Sequence, residues 1–249
     1  MSLEKLKNRL LDLNFLRKAL GYNFFAKKYS KDLRLKILNR PKSGRILVLA
    51  PHPDDEVFGC GGVIIKHVKN NNPIKIVFLT DDKKISKTRR VEAREALGIL
   101  GVKNMDFLSF KDGELVAGQK EVDKIAAIIS VFKPDIIYTS NFIDLHPDHQ
   151  ATAEILLGAI KKSQFKGVIW SYEIWTPTSA NRIIKIDDVF QQKVLAIEAY
   201  KSQLRDRGYL QAIKGLNSYR AGMFNAGKKA EAFFVARAEL YLRFFKNND

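Results

Sequence analysis

From residue 46 to residue 162 the chain alternates short, continuous apolar runs with longer stretches of mixed polarity. The runs at 46–50, 74–80, 105–110 and 135–140 are rich in Val, Ile and Phe, the pattern of strands buried on both faces. Between them, residues 61–70, 87–100, 122–132 and 151–162 carry apolar positions at three- and four-residue steps and predict helices. Strands alternating with helices of about ten residues predict parallel βαβ units. The expected fold is therefore α/β, a Rossmann-like, mostly parallel sheet with helices on both faces and its site at the carboxyl ends of the strands. Further on, strands are predicted at 168–175, 182–186 and 232–238, with a helix at 189–202.

Ahead of this pattern lies a different one. Leu3, Leu6, Leu10, Leu13, Leu16 and Leu20 recur at helical spacing among basic residues, and Lys42-Ser43-Gly44 reads as a linker. The predicted organisation is a basic helical extension, 1–42, followed by one catalytic domain, 43–249.

Charge sharpens that division. The chain of 249 residues has a net charge of +16, and residues 1–42 hold 12 Lys/Arg against three acids. Such an excess attracts anionic surfaces without choosing among nucleic acid, lipid and phosphorylated substrates. The single cysteine, Cys60, excludes an internal disulfide framework and fits a reducing compartment. The longest run without Asp, Glu, Lys or Arg is nine residues, Val57–Ile65, about half of a membrane span. A soluble cytoplasmic protein is expected, whose alternation of leucine and lysine in 1–42 would suit a peripheral helix on an anionic bilayer. The competing expectation is that this apolar stripe packs on the catalytic domain.

Three of the four histidines lie in two clusters, each following a predicted strand. The first is His52-Pro53-Asp54-Asp55-Glu56, after 46–50; the second is Asp144-Leu145-His146-Pro147-Asp148-His149, after 135–140. A catalytic zinc site takes three protein ligands and leaves a position for water. One His and one Asp from the first loop and one His from the second would supply them. The clusters hold a further carboxylate for a general base and a further imidazole for developing charge. The fourth histidine, His67, sits between lysines in a predicted helix and is expected on the surface.

Pro51-His52-Pro53-Asp54-Asp55-Glu56 with Gly59-Cys60-Gly61-Gly62 resembles the signature of the PIG-L/LmbE zinc-dependent N-acetylglucosaminyl deacetylases. His146-Pro147-Asp148-His149 resembles that family's second motif. Arg89-x-x-Glu92, Asp112-Gly113, Ser202-Gln203 and Ala230-Glu231-Ala232-Phe233 give ordered support. The resemblance implies that His52, Asp55 and His149 ligate Zn2+ or another divalent metal. It implies that Asp54 is the base that deprotonates a metal-bound water. His146 would stabilise the oxyanion, with Asp148 and Asp144 orienting it, and Arg89 or its neighbour Arg90 would contact substrate. The implied reaction is hydrolysis of the N-acetyl group of an amino-sugar glycoconjugate. The chain departs from the family at Asp81-Asp82, where a glycine is usual, and at Tyr200, where a histidine is usual.

Two readings compete with the deacetylase. A basic nucleic-acid-binding protein with a structural metal is disfavoured, because 1–42 shows no recognised nucleic-acid module and structural zinc sites favour cysteine. A metal-dependent phosphoesterase is disfavoured because one metal with one base suits an amide better than a two-metal phosphoryl clamp. Asp81 and Asp82 are expected to be solvated or to cap a helix, and Cys60 to pack at a loop-to-helix junction. Trp170 and Tyr172 are expected to share a core face, and Arg205, Arg207, Lys214 and Arg220 to form a solvated surface rather than meet a substrate phosphate.

Overall fold

A computed structural model describes residues 33–81, 86–205 and 207–246. Strand β2 (Ile46–Ala50) is wholly buried, and its period-two geometry divides it between two cores. Ile46, Val48 and Ala50 face one hydrophobic cluster, Leu47 and Leu49 the other. This pattern, repeated along the sheet, obliges helices to cover both faces.

Eight strands form one sheet in the order β1-β7-β8-β6-β5-β2-β3-β4. They are β1 (Lys36–Leu38), β2, β3 (Ile74–Asp81), β4 (Met105–Lys111), β5 (Ile136–Ser140), β6 (Val168–Tyr172), β7 (Arg182–Lys185) and β8 (Ala230–Arg237). All pairings are parallel except those of β8 with β6 and β7. Helices α1 (Asp55–Lys69), α2 (Ser86–Leu100) and α5 (Phe190–Glu198) cover one face. On the other lie α3 (Gln119–Phe132), α4 (Pro147–Ser163) and α8 (Ala238–Lys246). Short α6 (Lys201–Leu204) and α7 (Tyr209–Met223) connect α5 to β8. The chain runs from β2 outward through β3 and β4, then returns to place β5 on the other side of β2. That reversal opens a crevice at the carboxyl ends of β2 and β5, the position where such sheets bind ligands.

Several expectations need correction. The helical reading of 1–42 does not hold at Lys36–Leu38, which is an edge strand paired with β7; most of the leader lies outside the described residues. Helix α1 begins at Asp55 rather than 61, with a break in helical geometry at Cys60 (φ −145°, ψ 20°). Helices α7 and α8 were not anticipated. Glycine has a close-approach role here: a Cβ on Gly59 would lie 2.3 Å from the Tyr172 ring. Trp170 and Tyr172 are both core, as expected, and so is Cys60.

His67 is not on the surface; it is fully buried. Its Nδ1 accepts from the Asn72 amide at 2.9 Å, which leaves the proton on Nε2, 2.9 Å from the Tyr138 hydroxyl. Burial lowers its pKa to about 3. A histidine whose folded pKa lies below its unfolded value contributes stability above pH ~6.5, and that stability is lost as pH falls toward the folded pKa. Between pH 7 and 5 the native protein is expected to lose about 2 kcal/mol more than His67→Gln. Urea titrations at both pH values measure this; equal losses would contradict it.

Candidate active site

Three loops meet at the crevice. The first leaves β2 at Pro51, whose carbonyl accepts from Thr80 N (2.9 Å) and Thr80 Oγ1 (2.7 Å). Asp54 then adopts φ 122°, a conformation that L-residues rarely take. It is held there in part by Glu56, whose Oε2 accepts from Asp54 N at 3.1 Å. Glu56 is itself fully buried, and its Oε1 accepts from the Tyr200 hydroxyl at 2.5 Å. Burial pushes the Glu56 carboxyl up to about 8. Tyr200, where the resemblance implies a histidine, thus bonds the glutamate that holds the loop.

The second loop leaves β5, with Ser140 Oγ donating to His149 O at 2.8 Å. His146 is the N-cap of α4, its Nδ1 accepting from Asp148 N at 3.2 Å, and Pro147 occupies the first turn. His149 follows one residue after Asp148 and is fully buried: its Nε2 lies 3.2 Å from Asp55 Oδ2 and its Nδ1 3.2 Å from Asp144 Oδ1. The rings of His52, His146 and His149 form a tight group, with centroids 4.7 to 5.4 Å apart.

The third loop, after β4, brings Asp112. Its Oδ1 is 3.2 Å from His52 Nε2 and its Oδ2 3.1 Å from an Arg89 guanidinium nitrogen. Asp112 was not among the expected site residues; its place directly after β4, at a strand's carboxyl end, is the signal in the sequence that points to it.

Asp148 requires a correction. Its carboxylate was expected to orient His146, but Oδ2 lies 3.0 Å from His52 Nε2 and accepts from Gly113 N at 2.7 Å. Oδ1 accepts from Leu115 N at 3.2 Å. Asp148 therefore ties the third loop to His52, while Asp144 receives His146 N on Oδ1 (2.9 Å) and Trp175 N on Oδ2 (3.1 Å). Arg89 and Arg90 also separate. Arg89 lines the cavity, 3.7 Å from Asp54 and 2.9 Å from Gln203 Oε1. Arg90 turns to Asp81 (2.5 Å) and Ser109 (2.7 Å). Asp81 is buried in that pair, and it accepts from Ser86 at the start of α2; Asp82 lies outside the described residues.

The donors fit a divalent metal. Asp55 Oδ2 lies between two imidazoles, 3.0 Å from His52 Nδ1 and 3.2 Å from His149 Nε2. Both ring nitrogens of His149 are buried without a hydrogen-bond partner. Among the described residues two sets offer ligand atoms within 4.8 Å of one another, His52, His146 and His149, and His52, Asp112 and Asp148; His52 belongs to both, His149 to the first and Asp55 to neither. Mixed imidazole and carboxylate donors suit zinc and related ions.

Electrostatics separate two adjacent aspartates. Burial, then the neighbouring Asp55 charge, raises Asp54 to about 7 despite Arg89. Asp55 is also opposed by burial, but the His149 and His52 imidazoles outweigh it and hold Asp55 well below the carboxylate range. Burial and the flanking imidazoles lower His146 to about 3. Burial disfavours charge on His149 too, yet Asp55 and Asp144 raise it to about 9.

Above these groups is a cavity of about 320 Å³ whose outer wall includes Trp175, Arg207 and Tyr209. None of the three was predicted to touch the site. Of the four basic residues expected on a solvated surface, Arg220 is instead buried against Glu173.

Residues 47–160 match a family model described as PIG-L: GlcNAc-PI de-N-acetylase. A Bacillus cereus protein named probable N-acetyl-alpha-D-glucosaminyl L-malate deacetylase 2 is 29% identical over 64% of this chain and 83% of its own length. Diacetylchitobiose deacetylase from Thermococcus kodakarensis is 24% identical over 64% of this chain and 70% of its own. The solved N,N'-diacetylchitobiose deacetylase of Pyrococcus horikoshii superposes with a TM-score of 0.75 at 23% identity, covering 88% of this chain and 94% of that one.

Proposed function

We propose, from the match of residues 47–160 to the PIG-L family model, that the protein is a metal-dependent hydrolase of that family that removes the N-acetyl group from a GlcNAc-type amino sugar. The observation that carries this reading is the meeting of His52, Asp55 and His149 beside a separate, electrostatically distinct Asp54. His52, Asp55 and His149 would hold the ion, with zinc the first choice. Bound there, it would supply Lewis-acid polarisation of the amide carbonyl and acidification of a water.

The chain's own groups perform the proton transfers. Asp54, poised near neutrality, takes a proton from the attacking water as the new C–O bond forms. His146 is neutral at physiological pH, and its Nδ1 already accepts from Asp148 N, so its proton is on Nε2. It can therefore donate a hydrogen bond to the tetrahedral oxyanion. Collapse breaks the C–N bond; the proton held by Asp54 passes to the departing amine, giving acetate and the free amino sugar. Arg89, paired with Asp112 and near Asp54, fixes the wall against which the sugar would lie. Asp148 would hold His52 from behind, the usual support for a ligating imidazole, and the Asp144 carboxylate lies 3.2 Å from His149 Nδ1.

Acetate release from compounds bearing N-acetylglucosamine tests the proposal. Turnover is expected with zinc, loss on chelation and recovery on metal return; no acetate with any divalent ion would overturn it. Among the described residues no helix is long and apolar enough to cross a membrane. Contact of the basic leader with an anionic bilayer is a separate proposal, which co-sedimentation of the full-length chain with anionic and with neutral liposomes would test; equal, negligible binding to both would end it.

A further inference from the structure

Asp54 is the N-cap of α1, its carbonyl accepting from Val57 N at 3.1 Å and Phe58 N at 3.0 Å. An aspartate in that position ordinarily turns its carboxylate back onto the free N–H groups of the first helical turn. The Asp54 side chain makes no such bond; it lines the cavity, 3.7 Å from Arg89. Its backbone stands at φ 122°, which is costly for an L-residue and persists only where the surroundings hold it. Asp54 N donates to Glu56 Oε2 at 3.1 Å, and the Tyr200 hydroxyl donates to Glu56 Oε1 at 2.5 Å. Tyr200 is itself fixed. It is fully buried, and two residues on, Ser202 donates through N and Oγ to the Glu92 carboxylate of α2 at 2.8 and 2.6 Å.

Resting on the deacetylase reading, we propose that Tyr200 is a positioning residue for the general base: through Glu56 it keeps Asp54 at positive φ, and so keeps the Asp54 carboxyl off the helix end and in the cavity. With the extended backbone usual at an N-cap, the carboxylate would reach Glu56 N or Val57 N. A carboxylate committed to those donors is a weaker base and is drawn away from the attacking water. The hold also parts the two neighbouring aspartates. Asp55 Oδ2 goes between the imidazoles of His52 and His149, while Asp54 stays beside Arg89. Tyr200 does not line the cavity, so its effect passes through this chain of bonds. Three residues further on, Gln203 accepts from Arg89 at 2.9 Å. One short stretch, 200–203, thus sets both the base and the arginine next to it.

The experiment uses the full-length, zinc-loaded protein and acetate release from N-acetylglucosaminyl L-malate, N,N'-diacetylchitobiose and the methyl glycoside of N-acetylglucosamine. Tyr200→Phe keeps the ring in the core and removes only the hydroxyl. In this variant kcat is expected to fall roughly 10- to 100-fold while KM changes less than about threefold. Zinc affinity, measured by competition with a chelator, is expected to stay near that of the unaltered protein. Introduced into Asp54→Asn, the same substitution is expected to cost less than about twofold more, because the group it positions is already gone. A crystal structure of Tyr200→Phe is expected to show Asp54 at negative φ, with its carboxylate on Glu56 N or Val57 N. Undiminished kcat, a loss that follows loss of zinc, a full further loss in Asp54→Asn, or an Asp54 still at positive φ overturns this inference alone. No acetate from any of the three compounds with the unaltered protein overturns the deacetylase reading, and this inference with it.

Discussion

Asp54→Asn is expected to lower kcat by ~10²- to 10⁴-fold, the usual cost of losing a general base, while leaving metal content and fold in place. Asparagine is the informative replacement because Asp54 sits at φ 122° and asparagine tolerates positive φ better than alanine does. The amide also keeps the shape of the carboxyl. The side chain can no longer accept the water's proton, whereas the donors of His52, Asp55 and His149 stay where they are. His149→Ala provides the contrast, with loss of both the metal and activity. Single-turnover kinetics together with metal analysis separate the two outcomes; an Asp54→Asn protein with undiminished turnover would rule out Asp54 as the base.

Lys193→Met is expected to destabilise the fold by about 3–5 kcal/mol, a large fraction of what a domain has in total. Lys193 and Glu231 have side chains 0% and 1% exposed and pair at 2.7 Å. Glu231 also accepts from Gly62 N and Val63 N, both at 2.8 Å, where α1 resumes after its break at Cys60. Lys193 in addition donates to Phe58 O at 2.9 Å and Asn217 Oδ1 at 3.1 Å. Removing the lysine leaves a buried carboxylate aimed at a helix terminus with no countercharge. The same break positions the first turn of α1, which carries Asp55, so loss of metal affinity should accompany the loss of stability. Urea unfolding measures the effect; a change below about 1 kcal/mol would mean that the pair is dispensable.

Much of this was legible in one dimension. The four strands 46–50, 74–80, 105–110 and 135–140 were recognisable because burial on both faces leaves a continuous apolar run. The two histidine clusters were recognisable because each sits just past such a run. Other elements left weaker traces. The three-residue strand Lys36–Leu38 is too short to show a period, and exists by pairing with β7. His67 between two lysines reads as surface, yet a helix turns each position by about 100°, and its direction is that of Tyr138.

The sequence by itself determined the α/β class, the location of the chemistry at strand ends and the family resemblance, because these depend on local periodicity and on motifs a few residues long. The tertiary structure alone decided which partner each site residue has. It gave Asp148 to His52, placed Arg89 rather than Arg90 in the cavity, and joined Glu56 to Tyr200, 144 positions away in the chain. It also separated Arg207, on the cavity wall, from Arg220, buried in an ion pair. The physical reason is range: periodicity records which face of a strand or helix is buried, but not which distant loop the sheet order brings beside it.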